Sequence, residues 1–160
     1  MGESISTTAS ILKNCYNVAD IKGSANTGGI IGGMSGGKLI ENCYNLSTVI
    51  GNGTTGGIVG NSNNTIIKEC YHKGNISGKS EEKPNPFEGG IAGANSSISN
   101  ISMCKWYSET ISRTIGNLNI TDGYTVDLEM PNILSIINNE ETFKQDTNNI
   151  NNGYPILLWQ

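Results

Sequence analysis

Apolar residues come in short β-branched segments, around Ile40, Val49-Ile50 and Ile58-Val59 for example, separated by stretches of Gly, Asn and Ser. None keeps a helical period over ten residues, so the pattern predicts short strands joined by tight turns. The segments also repeat. Leu12-Lys13-Asn14-Cys15-Tyr16-Asn17 returns as Ile40-Glu41-Asn42-Cys43-Tyr44-Asn45, as Ile67-Lys68-Glu69-Cys70-Tyr71-His72, and more faintly as Ile101-Ser102-Met103-Cys104-Lys105-Trp106. The first three copies are each followed by a second block: Gly28-Gly29-Ile30-Ile31-Gly32, Gly56-Gly57-Ile58-Val59-Gly60 and Gly89-Gly90-Ile91-Ala92-Gly93. The cysteine spacings are 43 − 15 = 28, 70 − 43 = 27 and 104 − 70 = 34 residues. The excess in the last falls between Gly78 and Gly89, where the prolines and charges of Lys79 to Glu88 predict a loop inserted into the third repeat.

A unit of this length cannot bury its own apolar face and must stack on copies of itself. The predicted fold is all-β: a parallel β-solenoid (β-helix) of about three to four coils, with in-register strands ~4.8 Å apart. A propeller blade needs a longer unit, and a sandwich does not require the same residues to return in register.

Stacking turns equivalent positions into columns. Cys15, Cys43, Cys70 and Cys104 form one, read as small buried hydrophobes, because side chains on neighbouring in-register strands point the same way and lack the Cβ geometry of a disulfide. Lys13, Glu41 and Lys68 alternate in sign and set register. The Asn14–Asn42 and Asn17–Asn45 columns either bond amide to amide or satisfy turn backbone. Gly29, Gly57 and Gly90, within the Gly-Gly blocks, suit a bend that needs positive φ. Tyr16, Tyr44 and Tyr71 either close the core or, if exposed, offer a strip that stacks against sugar rings and so a possible ligand contact.

Beyond Tyr107 the repeat fades, although Ile111, Ile115 and Ile120 keep a strand-like spacing. The expected organisation is an N-terminal segment over residues 1–10, solenoid repeats over 11–118 and a capping segment over 119–160 that covers the end of the stack. Within the cap, Met130-Pro131-Asn132 opens a short helix over Ile133 to Ile137, while Thr142-Phe143-Lys144 and Ile156-Leu157-Leu158-Trp159 read as strands.

At 160 residues the chain fits one domain, and its 22 isoleucines are too many for a disordered chain despite 21 Gly and 22 Asn. A net charge of −4 excludes a nucleic-acid partner, which needs a basic face. No apolar run approaches the ~20 residues of a membrane-spanning helix, so no membrane insertion by this segment is expected. The opening Met1-Gly2-Glu3-Ser4 lacks a basic and apolar leader, consistent with a cytosolic protein or an excised piece of a larger one.

Catalytic signals are weak. Gly51-Asn52-Gly53-Thr54-Thr55-Gly56 matches a dinucleotide fingerprint, but a strand block follows it where a helix is required. Cys70 and His72 pose a nucleophile-and-base question, yet both occupy structural columns. One histidine among periodic cysteines has no zinc spacing, and no turn carries the repeated Asp of calcium-binding solenoids. Asp20, Glu41 and Glu69 fall at three different repeat positions and do not converge as glycosidase carboxylates would. No enzyme activity, metal or cofactor is expected.

The Asn-Cys-Tyr-Asn and Gly-Gly-Ile-(Ile/Val)-Gly blocks, over roughly residues 11 to 107, resemble the GLUG-motif repeats of bacterial cell-surface proteins. The closing Asn152-Gly153-Tyr154-Pro155-Ile156-Leu157-Leu158-Trp159-Gln160 also resembles the segment that commonly ends such arrays. Glu69 and His72 depart from the pattern, as does a fourth repeat without Gly-Gly. The resemblance implies an extracellular, surface-attached spacer or adhesion module, tied to other domains of the same parent chain, with a host or cell-wall glycan or protein as ligand. It supplies no catalytic residues. The alternative expectation is a carbohydrate-binding or carbohydrate-degrading β-helix.

Overall fold

A computed structural model describes residues 10–78, 87–95, 101–118, 120 and 141–160. Five short strands make up the first coil: β1 (Ile11–Lys13), β2 (Tyr16–Asn17), β3 (Ile21–Lys22), β4 (Thr27–Gly28) and β5 (Ile31–Ser35). The second coil repeats them as β6 (Leu39–Glu41), β7 (Tyr44–Asn45), β8 (Val49–Ile50), β9 (Thr55–Gly56) and β10 (Val59–Asn63). The third does so as β11 (Ile66–Lys68), β12 (Tyr71–Lys73), β13 (Ile76–Ser77), β14 (Glu88–Gly89) and β15 (Ala92–Asn95). A shorter fourth coil contributes β16 (Ile101–Ser102) and β17 (Lys105–Tyr107). Equivalent strands pair in parallel into five sheets, ordered β1-β6-β11-β16, β2-β7-β12-β17, β3-β8-β13, β4-β9-β14 and β5-β10-β15. The chain is the parallel β-solenoid its periodicity predicts.

The register is that of the sequence repeat. Tyr16 pairs with Tyr44 and Tyr44 with Tyr71, offsets of 28 and 27 residues. The one-residue difference lies at a turn: Ser35 to Leu39 spans Gly36-Gly37-Lys38, whereas the matching Asn63 to Ile66 spans only Asn64-Thr65. The long third repeat is resolved more finely than its single-loop reading. Ile76 still pairs with Val49 at offset 27, Glu88 pairs with Thr55 at 33 and Lys105 with Tyr71 at 34. Six extra residues therefore fall between β13 and β14, and a seventh between β15 and β16. Glu88 itself belongs to β14, and its carboxylate accepts the Gly78 N–H, tying together the two feet of the insertion. Residues 79–86 lie outside the described residues.

The interior holds Ile40, Ile58, Ile67 and Ile91 with Cys43, Cys70 and Cys104, Leu12 and Cys15 packing against it from the partly open first coil. No cysteine is disulfide-bonded. Each thiol instead points at the carbonyl two residues back: Cys15 Sγ to Lys13 O 3.3 Å, Cys43 to Glu41 O 3.1 Å, Cys70 to Lys68 O 3.2 Å and Cys104 to Ser102 O 3.2 Å. The residue spanned by that contact is left-handed in every coil, with φ of 57° at Asn14, 56° at Asn42, 52° at Glu69 and 51° at Met103. Asparagine tolerates this region; a side chain such as Met is disfavoured there by roughly 1 kcal/mol. The asparagines of the Asn14–Asn42 column are thus turn formers. Met103, half exposed, is the natural place to relieve strain: Met103→Asn is expected to raise stability by about 0.5–1 kcal/mol, read as a higher urea midpoint at unchanged slope. A lower midpoint would mean that Met103 contributes packing that outweighs its backbone.

One expectation is corrected. The Gly-Gly blocks are not positive-φ bends, since the positive-φ glycines among the described residues are Gly36, Gly37, Gly74 and Gly153. Gly29, Gly57 and Gly90 are required because a side chain from the next coil fills the place of their Cβ: Asn45, His72 and Trp106, at 2.1, 2.3 and 2.0 Å from it. Past Tyr107, where the sequence repeat fades, the stack still continues. Ile115 bridges Ala92 in parallel, and Gly116 N–H bonds Ala92 O at 3.0 Å, so Thr114-Ile115-Gly116 extends the column of Ile91-Ala92-Gly93 without the Gly-Gly. Among the described residues there is no helix; the helix expected over 133–137 lies outside them.

Candidate functional site

Every strand alternates inward and outward residues, so in β2, β7 and β12 the tyrosines face out while Asn17, Asn45 and His72 face in. The inward set forms a polar ladder through the solenoid. Asn17 Nδ2 donates to Asn45 Oδ1 (2.9 Å) and to Ser47 Oγ (2.9 Å), Ser47 Oγ donates to Asn45 Oδ1 (2.6 Å), and Asn45 Nδ2 donates to Gly57 O (3.0 Å). The Asn17–Asn45 column is therefore an amide-to-amide ladder. His72 continues it: Nε2 faces the Gly74 carbonyl at 3.1 Å, while Nδ1 faces both the Asn45 carbonyl at 3.1 Å and Asn45 Nδ2 at 3.0 Å, so that a proton on Nε2 leaves Nδ1 to accept from the amide and a proton on Nδ1 is donated to the Asn45 carbonyl. Trp106 closes the ladder, its indole N–H donating to Thr114 Oγ1 at 2.8 Å. With both ring nitrogens engaged, His72 is no base for Cys70, whose thiol burial keeps well above the ordinary thiol range. A buried ladder of this kind specifies register, because a slip of one residue would turn the amides outward and the tyrosines into the interior.

The outward tyrosines stack face to face: Tyr44 on Tyr71 at 4.9 Å and 7°, Tyr16 on Tyr44 at 5.3 Å and 23°. In this arrangement the rings cover one another's faces and turn only their edges outward. Those edges are covered too. Residues 141–160 form a hairpin-like strap, with β18 (Phe143–Lys144) antiparallel to β19 (Ile156–Leu157), that runs along the flank of the stack. Phe143 lies 6.5 Å from Tyr44 and 6.0 Å from Tyr71, and Trp159 lies 5.7 Å from Tyr16. Tyr44 donates to Gln160 Oε1 at 2.8 Å, and Tyr71 donates to the Pro155 carbonyl. Burial pushes the Tyr44 hydroxyl up to about 12. Tyr44, Tyr71, Phe143 and Leu157 thus make a second core outside the solenoid wall. Tyr44 and Tyr71 are fully buried and offer no face to a sugar ring, which removes them as ligand contacts; Tyr16 alone stays open, at 41 % exposure.

Of the expected capping segment over 119–160, residues 141–160 cover the side of the solenoid, while 119 and 121–140 lie outside the described residues. A loop at the strap's turn holds it in shape. The carboxylate of Asp146 accepts the N–H groups of Ile150 (2.8 Å), Asn151 (2.6 Å) and Gly153 (3.0 Å). Burial pushes that carboxyl up, but the three N–H bonds outweigh it and hold Asp146 below the usual carboxylate range. Asn151 Nδ2 then reaches the Tyr71 hydroxyl at 3.5 Å, and Lys73 Nζ sits 4.5 Å over the Tyr154 ring.

Two further acids have structural partners. Asp20 accepts the Thr48 N–H at 3.0 Å, and Glu41 pairs with Lys68 at 2.9 Å, the alternation of charge that the column predicts. Among the described residues no group of three or more His, Cys, Asp or Glu side chains gathers to hold a metal ion, and no helix is long and apolar enough to cross a membrane. Gly51 to Gly56, the dinucleotide look-alike, leads into β9 and the next strand block. A shallow groove of about 280 Å³ lies along β5 and β10, lined by Asn26, Ser35, Lys38, Asn61 and Asn63 among others. Its lining is mostly small polar side chains, with one ammonium and the apolar Met34.

Fold and site together define a repeat protein of the parallel β-solenoid class, stiffened by an internal polar ladder and a lateral aromatic strap. No family model, curated protein or solved structure matches the chain.

Proposed function

We propose that the chain is a non-catalytic structural module of a bacterial cell-surface protein, a stiff extracellular spacer that holds neighbouring domains of its parent chain apart. The observation that carries this reading is the continuous axial register: four coils locked to one another by backbone ladders, by the Asn17–Asn45–His72 network and by the strap that spans three coils. The resemblance to GLUG repeats supports the surface location. Repeat stacks resist axial bending because each coil is bonded to its neighbours along the whole circumference. Pulled from its two ends between reference domains, the module is expected to unfold in one cooperative event; coils peeling away one at a time at low force would count against a spacer.

The second reading is a carbohydrate-binding surface, with a host or cell-wall glycan as ligand. The groove beside Asn61 and Asn63 is what favours it, Tyr44 and Tyr71 having been removed by their burial. A glycan array probed with the whole chain separates the two. Specific binding that is lost in Asn61→Leu would replace the spacer reading with this one.

A further inference from the structure

Among the described residues, all five strands of the first coil lie at the edge of their sheets and pair with the second coil alone. A sheet edge is a template for another strand, and proteins normally blunt it with short, charged, bulged or covered elements. Here the edge is continued in register by every column. Leu12 and Cys15 stay partly open where their partners Ile40 and Cys43 are fully buried, and Ile11, Tyr16 and Val18 are 56, 41 and 55 % exposed. The strap reaches this level as well: Trp159, 63 % exposed, stands tilted by 50° beside Tyr16 as Phe143 stands beside Tyr44. It thereby offers a flank to a ring stacked on Tyr16. The charge column points the same way. Lys13 lies in register with Glu41, which is bonded to Lys68, so the alternation asks for an acid on the far side of Lys13.

We propose that the open face of the first coil is a docking surface for one further coil of the same pattern, entering in line ahead of Ile11. That coil carries an apolar residue over Leu12, an acid over Lys13, a small residue over Cys15 and an aromatic ring over Tyr16. A second copy of this chain is a poor occupant, since the fourth coil presents Ser102 in the charge column, Lys105 over the tyrosines and Trp106 in the ladder. The inference rests on the solenoid geometry and not on the spacer role, so it can fail while that role stands.

Insertion of a duplicate of residues 39–65 between Ser10 and Ile11 tests it on the full chain. The duplicate places Glu41 over Lys13 and Tyr44 over Tyr16. Expected are a rise of about 5 °C in the unfolding midpoint and at least about tenfold slower amide exchange at Tyr16, Asn17 and Val18. A Glu41→Lys change confined to the duplicate should lose part of the gain, and Glu41→Gln there should lose less. A Gly/Ser insert of equal length should give no gain. An unchanged midpoint with unchanged exchange overturns the proposal, as does an extended chain that fails to fold with either arrangement of charge. Concentration-dependent protection of the first coil in the unextended chain also overturns it, because the occupant is then a second copy.

Discussion

Gly57→Ala is expected to destabilise the protein by about 3 kcal/mol or more, lowering its unfolding midpoint by roughly 6–12 °C. The added Cβ would stand 2.2 Å from the Gly90 carbonyl oxygen and 2.3 Å from His72 Cγ. Neither neighbour can retreat. The carbonyl belongs to the coil below, and the imidazole is bonded at both nitrogens. Over-packing against a backbone that is itself part of a ladder exceeds the usual cost of an extra methyl group, because relaxation breaks hydrogen bonds along the sheet. Gly33→Ala is the control: its Cβ meets nothing closer than Asn61 O at 3.6 Å, so its effect should stay within about 0.5 kcal/mol. Gly57→Asn separates steric exclusion from backbone conformation. Were positive φ the reason for glycine here, asparagine would be tolerated; under the packing reason it fails at least as badly as alanine.

Acid should weaken the fold through His72, and His72→Asn should abolish that part of the pH dependence. Burial withdraws the imidazolium from water and lowers the His72 pKa from 6.5 to about 4; the bonds toward the Gly74 and Asn45 carbonyls act in the other direction without offsetting it. Between these values the unfolded chain binds a proton that the native chain refuses. Stability is therefore complete above pH 6.5 and declines as the pH falls toward 4. The full difference of 2.5 units corresponds to about 3 kcal/mol, of which about 2 kcal/mol is lost by pH 5. Asparagine is the residue at the same inward position in the first two coils, where it bonds along the ladder without titrating. Chemical denaturation at pH 7.5 and pH 5 should show the wild type losing about 2 kcal/mol more than His72→Asn; equal losses would refute the assignment. Asp146 contributes a separate loss, only as the pH falls through the carboxylate range, because its carboxyl is held low in the native strap.

Most of the solenoid was legible because a parallel stack places each residue beside its own repeats. Cys15 under Cys43, Lys68 against Glu41 and Tyr44 on Tyr71 are neighbours in space at the same interval at which they recur in sequence. The left-handed corner at Asn14, Asn42, Glu69 and Met103 was half visible: asparagine hinted at it, while glutamate and methionine concealed it. The reason for Gly-Gly was hidden. Gly29 meets Asn45 and Gly57 meets His72 across the interior, contacts between different columns that no periodicity records.

By itself the sequence determined the coil length, the parallel register, the unbridged cysteine column and the alternating charges, since all of these are nearest-neighbour relations repeated every 27 or 28 residues. Only the tertiary structure decided the fate of the tyrosines. Their cover comes from residues up to 159 − 16 = 143 positions away, in a segment that repeats nothing. Whether an outward aromatic column is a binding strip or a second core depends on what apolar surface folds back onto it. Phe143 and Leu157 do so here because covering the tyrosine edges removes both surfaces from water.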